Sequence, residues 1–441
     1  MGTLPDLRTP SPILIYSIYF FACLIVFAGM IHPGVAQPRQ EIWYHTGYPG
    51  GIMGSRTGMS ALTGPTKMPA IFEAIWRNQL VSPEQVHTNS PLVIGRALEA
   101  PPIDLESLRQ VHTDRYLKAL FTGEPFHLAT SQGLPIWNED IARGWLLNVG
   151  GFYEAAQTAL QKKTITANLG HGYHHATVNR GSAFCTINGL VVVAKRLIRE
   201  GKANRVMIID LDHHEGNGTA ECIIGENSIW NVSIYGVSMG GPPSTGNNHV
   251  FQVQHGEFKI GEKRDVHYLA VVAEILPELI RRQNPDLILY QAGMDPYDGA
   301  GISSKALAIR DAYVFALSRS MDKPLTWVLA GGYADIETLV DLHTGTVRMA
   351  NEVLATVKPG DKIEHQGKEP YRWSVERGVI QFPDWKSLTR GRRRIYQPPS
   401  LTETEIWEFV ASRQRLFQEE RLLDDDICSA YKKLFVPKPL P

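Results

Sequence analysis

Four short apolar segments of this chain each run directly into a glycine-containing loop that carries histidine, aspartate or tyrosine. They span residues 164–169, 205–211, 286–292 and 325–330. Each is too short and too rich in apolar or β-branched residues for a surface helix, so each is predicted to be a buried strand. Ligands of open α/β sheets bind beyond the carboxyl ends of the strands. Four such ends therefore predict one convergent site.

The rest of the pattern predicts the layers around these strands. A fifth strand is predicted over residues 228–234, and helices are predicted over 189–200, 268–282 and 307–320, where apolar residues recur at three- and four-residue spacing. Short buried strands that alternate with amphipathic helices are typical of a parallel sheet covered by helices. The predicted fold class is α/β, a single three-layer αβα domain with a mostly parallel central sheet.

Three residues in these loops are suited to binding a metal ion. Asp212 and His214 lie two positions apart after one strand, and Asp295 follows the next. One imidazole and two carboxylates form a plausible three-ligand zinc site with a position left open for water and substrate. The alternative is that Asp, His and Gly only cap helices and form turns here. Capping and turn formation explain the presence of these residues in one loop, but not in four loops that each follow a predicted strand.

Together these motifs resemble the histone deacetylase family, within the superfamily of arginases and deacetylases that includes acetylpolyamine amidohydrolases. The resemblance covers roughly residues 41–358. Its motifs, in the family's order, are His174-His175-Ala176, Phe184-Cys185 with Asn188, residues 210–219 (DLDHHEGNGT), Ala292-Gly293-Met294-Asp295 and Gly331-Gly332-Tyr333. Residues 133–135 (GLP), residues 149–151 (VGG) and Gly172-Tyr173 are more similar to class IV deacetylases and their bacterial relatives than to class I.

The resemblance implies an arginase/deacetylase-like fold and a zinc-dependent amidohydrolase. One catalytic Zn²⁺ would be held by Asp212, His214 and Asp295. A structural monovalent cation, K⁺, is also implied near the zinc. Its ligands would be Asp210, Asp212, His214 through its backbone oxygen, Ser233 and Ile234.

The resemblance also implies roles for the remaining motif residues. His175 would be the general base that deprotonates the attacking water and later protonates the leaving amine, with His174 as its electrostatic partner. Tyr333 would donate a hydrogen bond to the oxyanion formed from the substrate carbonyl. The far ring nitrogens of His174 and His175 would be held by Asp210 and Asn217. The acyl-lysine channel would be formed by Phe184, Cys185 and Gly293.

Three departures from the family's pattern affect these expectations. Asn217 stands where class I enzymes carry Asp, and a neutral amide stabilises an imidazolium less than a carboxylate does. We therefore expect a lower pKa for His175 than in class I. Ala183 stands where the family usually has Gly, which leaves the width of the channel floor open. Residues 133–137 contain no acidic residue to match the one that binds the substrate backbone in many deacetylases.

Three functions stay open. The first is removal of acetyl or longer acyl groups from lysine side chains of proteins, histones included. The second is deacetylation of small amines such as acetylpolyamines. The third is a catalytically silent protein that binds acyl-lysine or acts as a scaffold. Arginase-like chemistry with two metals is not expected, because Gly216 stands where a further Asp would be needed.

Charge and cysteine usage exclude further classes. The chain has 44 Lys and Arg against 45 Asp and Glu, and this balance gives no long-range field to attract nucleic acid. No direct nucleic-acid binding is therefore expected. The basic run of Arg390 and residues 392–394 is more typical of a solvated loop than of a binding site. The four cysteines show no paired spacing, so a disulfide scaffold is not expected.

Three regions are predicted along the chain. Residues 1–36 are predicted to be a signal peptide or N-terminal membrane anchor, and residues 41–358 the catalytic domain. Residues 359–441 are predicted to be a partly helical extension with a charged helical tail over 403–434. Residues 13–31 carry no charge and precede a small-residue pattern suited to cleavage. If this segment is real, the protein is exported to a periplasm or anchored through contact of residues 13–31 with a membrane. If translation instead begins downstream of this segment, the protein is cytoplasmic or nuclear.

Two glycosylation sequons bear on this choice. They begin at Asn217 and Asn231, and both fall in segments that should be buried around the metal. A glycan on Asn217 would disturb the residue that orients His175. We therefore expect a compartment without N-glycosylation. Export would favour small acylated amines as substrates, because an exported enzyme seldom meets histones.

Overall fold

The computed structural model describes residues 38–48, 67–93, 100–170, 172–254, 259–389 and 395–436. The predicted export segment over 13–31, and the basic run of Arg390 and residues 392–394, lie outside these residues. Among the residues described, no helix is both long enough and apolar enough to cross a membrane.

The strands found in this part of the chain form two sheets. In chain order they are β1 (Glu41–Tyr44), β2 (Val86–Thr88), β3 (Ile165–Asn168), β4 (Val206–Asp210), β5 (Ile229–Tyr235), β6 (Asn248–Val253), β7 (Leu287–Gln291), β8 (Leu325–Val328), β9 (Lys362–His365), β10 (Ser374–Glu376), β11 (Val379–Phe382) and β12 (Ile395–Tyr396). The large sheet has the order β12-β6-β5-β4-β7-β8-β3-β1-β2, and the small sheet has the order β10-β11-β9.

All neighbours in the large sheet pair in parallel except β12 and β6, which are antiparallel. The five predicted strands are confirmed as β3, β4, β5, β7 and β8. Every residue of β4 (VMIID) and β7 (LILYQ) is buried, as expected for central strands with a layer of helices on each face.

The helices are α1 (Lys67–Arg77), α2 (Leu105–Arg109), α3 (Asp114–Thr122), α4 (Phe126–Ala129), α5 (Glu139–Lys162), α6 (Gly189–Arg199), α7 (Asn217–Ile223), α8 (Glu262–Gln283), α9 (Pro296–Ala300), α10 (Ser304–Ser320), α11 (Ile336–Thr356), α12 (Trp385–Leu388), α13 (Glu403–Glu419) and α14 (Asp424–Lys433), with a 3₁₀ turn at Pro83–Gln85. The three helices predicted within the domain are confirmed as α6, α8 and α10.

Alternate residues of β4 show how the layers are built. Val206 and Ile208 pack into a core shared with α5 and α6, whereas Met207 and Ile209 pack into a second core shared with α8, α10 and α11. Because successive side chains of a strand point to opposite faces, the sheet separates two hydrophobic cores. The three-layer α/β prediction is confirmed.

The C-terminal region differs from the prediction of one helical tail over 403–434. It forms two helices, α13 and α14, separated by residues 420–423, and the sheet β9–β11 precedes them. Arg413 of α13 donates hydrogen bonds to the carbonyls of Glu221, Cys222 and Ile224. From Arg39 onward the described residues form one compact unit. The boundary at residue 358 stays a prediction.

Candidate metal centre and active site

Asp212, His214 and Asp295 converge at the carboxyl ends of β4 and β7, which pair in parallel with Asp210 opposite Gln291. One ligand atom from each of the three residues lies within 4.8 Å of the other two. His214 Nδ1 is 2.8 Å from Asp295 Oδ2 and 3.4 Å from Asp212 Oδ1. Two bonds of about 2.1 Å at a tetrahedral angle place their donor atoms about 3.4 Å apart. The separation of the Asp212 and His214 atoms matches this value, and all three residues are close enough together to share one divalent ion such as Zn²⁺.

The electrostatics of the cluster also fit a cation. Asp212 and Asp295 are buried, with 2% and 0% of their surface exposed. Burial, reinforced by the charge of Asp212, raises the pKa of Asp295 to about 8. Hydrogen bonding to Asp212 and Asp295 raises the pKa of His214 to about 10. Two adjacent buried carboxylates need a compensating positive charge, and a bound metal ion would supply it.

Glycines allow the backbone to approach these carboxylates. A Cβ atom at either Gly293 or Gly331 would lie 2.5 Å from Asp212 Oδ2, closer than atoms can pack. The Gly331 N–H donates to that same oxygen at 3.1 Å, and the His213 N–H donates to Asp295 Oδ1 at 2.8 Å. The glycines after β7 and β8 are thus required where the loops meet the ligand carboxylates.

His174 and His175 lie side by side in the loop after β3, with their ring centroids 3.9 Å apart. His174 Nδ1 is 2.8 Å from Asp210 Oδ2, and His174 Nε2 is 3.8 Å from Asp212 Oδ1. Burial opposes protonation of His174, but the carboxylates of Asp210 and Asp212 outweigh it and raise its pKa to about 9. These carboxylates therefore favour the protonated form of His174.

His175 has the opposite electrostatic environment. Its Nδ1 donates to the side-chain oxygen of Asn217 at 2.6 Å. Burial and the charge of His174 lower the pKa of His175 to about 3, although Asn217 acts in the other direction. His175 is therefore neutral over the physiological range, with Nε2 free to accept a proton. Two adjacent histidines with pKa values moved apart are typical of a site with separate electrostatic and base roles.

Tyr333 lies on the Gly331-Gly332 turn after β8, with its ring centroid 6.1 Å from that of His214. Burial, together with the charges of Asp212 and Asp295, raises its pKa well above the usual value, so the phenol keeps its proton. Gly332 has a φ of 140°, a conformation that favours glycine. The turn is held from beneath by Lys67, whose Nζ donates to the Ala330 carbonyl at 3.1 Å and lies 3.4 Å from that of Gly332.

One cavity joins His174, His175 and Tyr333 with the Asp212 carboxylate. Its lining residues are Lys67, Gly172, His174, His175, Ala183, Phe184, Cys185, Asp212, Gln291, Ala330, Gly331 and Tyr333. Of the predicted channel residues, Phe184 and Cys185 line this cavity. Gly293, also predicted for the channel, is not among the lining residues and packs against Asp212 instead. Ala183 and Phe184 have positive φ values of 40° and 69°, so the wall of the cavity follows a strained backbone path.

The residues predicted for a monovalent cation lie at or just after the carboxyl ends of β4 and β5. Asp210 is opposite Ser233 in the register of β4 and β5, and Ile234 follows on β5. The Gly216 N–H donates to Ser233 Oγ at 3.3 Å, and the Asp212 N–H donates to Asp210 Oδ1 at 3.2 Å. The fold thus places Asp210, Asp212 and Ser233 close together beside the candidate metal centre.

The sequence did not predict two polar residues of the cavity. Lys67 is 3% exposed, and burial lowers its pKa to about 8 against the attraction of Asp295 and Asp212. Gln291 is fully buried, and within the described part of the chain neither of its amide atoms has a hydrogen-bond partner. A polar residue at the end of the apolar β7 segment is a usable sequence signal for Gln291. Lys67 gives no such signal, because a lysine at a helix start is usually solvated.

Comparison with known proteins identifies the family of this site. Residues 63–348 match the family described as the histone deacetylase domain, which is more than half of the chain. The chain belongs to the histone deacetylase family. It is 30% identical to an uncharacterized protein of Picosynechococcus sp., over 62% of this chain and 87% of that protein. It is also 30% identical to Histone deacetylase 2 of Arabidopsis thaliana, over 54% of this chain and 63% of that protein.

A solved structure described as the HDA15 HD domain matches with a TM-score of 0.56 and 17% identity, over 90% of this chain and 99% of that one. This match shows the shared fold. Membership in the histone deacetylase family supports a hydrolytic deacetylase that acts on acetylated substrates.

Proposed function

We propose that this histone deacetylase family member is a zinc-dependent amidohydrolase that removes acetyl or longer acyl groups from lysine side chains. The observation that carries the proposal is the cluster of Asp212, His214 and Asp295 at the edge of one cavity. Asp212 lines that cavity together with His174, His175 and Tyr333. Three protein ligands and an open position are typical of catalytic zinc. A bound Zn²⁺ would supply Lewis acidity, polarising the amide carbonyl and lowering the pKa of the attacking water.

In this mechanism His175 is the general base. Its proton is on Nδ1, where Asn217 accepts it, so Nε2 faces the reaction with a free lone pair. Nε2 takes the proton of the attacking water and then delivers it to the leaving amine. The low pKa of His175 keeps it neutral before the reaction, and burial and the charge of His174 favour release of the proton that it takes up.

His174 and Tyr333 act on charge. Asp210 binds Nδ1 of His174 and favours its protonated form. The protonated ring supplies a positive charge beside the base and stabilises the negative charge that develops on the substrate oxygen. Tyr333 keeps its proton and donates it in a hydrogen bond to that oxygen. Such donors act strongly in a site that excludes water, because they need no reorganisation at the moment of reaction.

We also propose a structural K⁺ near the zinc, held by the cluster of Asp210, Asp212 and Ser233 together with backbone oxygens of His214 and Ile234. The register that places Asp210 opposite Ser233 supports it. We further propose a compartment without N-glycosylation. Asn231 is fully buried and Asn217 is bonded to His175, so a glycan on either residue would conflict with the folded site.

A second candidate is deacetylation of small acylated amines. The absence of an acidic residue in residues 133–137 favours it, because such a residue at the rim binds the substrate backbone in many relatives. The decisive experiment assays acetyl-lysine peptides, long-acyl-lysine peptides and acetylpolyamines with and without a chelator. We expect chelator-sensitive hydrolysis of the lysine peptides. Hydrolysis of the polyamines alone would support the second candidate, and no hydrolysis of any substrate would refute the enzymatic function.

A further inference from the structure

Arg310 lies beneath the candidate metal centre, on helix α10, and is fully buried. Its Nη1 donates to the Gly293 carbonyl at 2.8 Å and lies 3.4 Å from the Leu211 carbonyl. Leu211 immediately precedes Asp212, and Gly293 lies two residues before Asp295. One guanidinium group therefore contacts both of the loops that carry the carboxylate ligands.

The guanidinium is itself fixed in place. Its Nε and Nη2 lie 2.9 Å and 2.8 Å from Asp311 Oδ1. That carboxylate also accepts hydrogen bonds from Tyr290 at 2.6 Å and from Thr346 at 2.7 Å. Tyr290 belongs to β7 and Thr346 to α11, so the pair is held by the sheet and by a neighbouring helix. Arg310 has no freedom to follow the loops, and its fixed donors define where the two carbonyls can lie.

A buried ion pair of this kind is poorly explained by stability alone. Replacing such a pair with apolar residues of similar volume is often neutral or stabilising, because both charges must be taken out of water. The guanidinium can, however, contact carbonyls of two different loops through Nη1 while Nε and Nη2 hold it on Asp311. An apolar side chain makes none of these contacts, and a lysine ammonium cannot reach the carbonyls and also keep the two-point contact with Asp311 that holds a guanidinium in place.

We propose that Arg310 is a positioning residue that sets the spacing between the loops of Asp212 and Asp295, and through it the affinity of the site for Zn²⁺. This inference rests on the proposed zinc-dependent function. The two carboxylates come from separate strand ends, and the ladder between β4 and β7 ends at Asp210 and Gln291, before either ligand. Beyond that point the Arg310 contacts join the two loops from below. Residues that orient metal ligands typically change metal affinity 10- to 100-fold when they are replaced.

The test measures Zn²⁺ affinity of the metal-free full-length protein by competition with a chromogenic chelator. Arg310→Met should weaken Zn²⁺ binding by about 10- to 100-fold. Arg310→Lys should restore part of the affinity, because its ammonium can reach one of the two carbonyls. The matched control is Arg109→Met, which breaks the Arg109–Asp114 pair, with contacts of 2.7 Å and 2.6 Å. It should bind Zn²⁺ as the wild type does.

The visible spectrum of the Co²⁺-substituted protein gives a second readout, because it reports ligand geometry that general destabilisation would leave unchanged. It should change in Arg310→Met and stay constant in Arg109→Met. If Arg310→Met does not fold, Arg310→Lys carries the test and should bind Zn²⁺ several-fold more weakly than the wild type. Wild-type affinity in whichever of these variants folds would overturn the role of Arg310 alone. Failure of the wild type to bind Zn²⁺ would overturn the proposed function as well.

Discussion

The substitution Asn217→Asp tests how the general base is tuned. Asn217 accepts the Nδ1 proton of His175 at 2.6 Å, and burial with the charge of His174 holds the His175 pKa near 3. His175 works as a base only when it is neutral, so activity is lost as the pH falls through its pKa. A carboxylate at position 217 favours the imidazolium and raises that pKa. The acidic limb of the pH profile should therefore move to higher pH.

The size of the shift can be bounded. Opposite unit charges about 4 Å apart attract by about 4 kcal/mol at an effective dielectric constant near 20, which equals about 3 pKa units. Part of this is lost because the new carboxylate would itself be partly desolvated beside two histidines. We expect a net upward shift of about 1–2 units, within the range of about 1–3 units typical of a close opposite charge.

The assay is kcat/KM measured against pH, which reports the ionisation of the free enzyme. Asn217→Ala is the control, because it removes the acceptor without adding charge. It should lower the rate and leave the acidic limb at or below its wild-type position. If Asn217→Asp leaves the limb where it was, or if Asn217→Ala raises it as much, the charge at position 217 does not set the pKa of the base, and the role given to His175 is wrong.

Three further substitutions test other parts of the structure. Tyr333→Phe removes the phenol donor, so kcat should fall about 100- to 1000-fold while the unfolding temperature stays constant. A fall in kcat of less than about tenfold would exclude an oxyanion role for Tyr333. Lys67→Met removes the contacts with the Ala330 and Gly332 carbonyls, so kcat should fall roughly 100-fold while the Zn²⁺ content stays unchanged. A wild-type kcat in this variant would show that the turn carrying Tyr333 does not need Lys67. Arg413→Ala removes the hydrogen bonds from α13 to carbonyls at the C-terminal end of α7, so urea unfolding should show a loss of about 2 kcal/mol. The exposed Arg415→Ala is the neutral control.

The sequence was sufficient to predict the centre of the sheet and the residues that meet there. Segments such as VMIID and LILYQ are apolar throughout because both faces of β4 and β7 are covered, and such runs stand out in a sequence. Parallel strands bring their carboxyl ends to one edge, so the convergence of Asp212 and Asp295 followed from the parallel sheet that the sequence predicted.

The edges of the sheet and the supporting charges could not be predicted in this way. Strand β2 has only three residues, and β6 (NHVFQV) mixes buried and partly exposed positions without a clear apolar run. The burial of Lys67 and Arg310 depends on which elements pack over them. A charged residue in a helix is solvated in most sequences, so neither residue could be assigned to the site before the packing was known.

The central claim is that Asp212, His214 and Asp295 hold one Zn²⁺ that deacylation requires. The most direct test adds Zn²⁺ stepwise to chelator-stripped wild-type protein and follows hydrolysis of the best acyl-lysine peptide, with Asp295→Ala in parallel. Activity should return to its full value at one Zn²⁺ per chain, and Asp295→Ala should stay inactive at every addition. Full activity without metal, recovery only at two Zn²⁺ per chain, or an active Asp295→Ala would each contradict the claim.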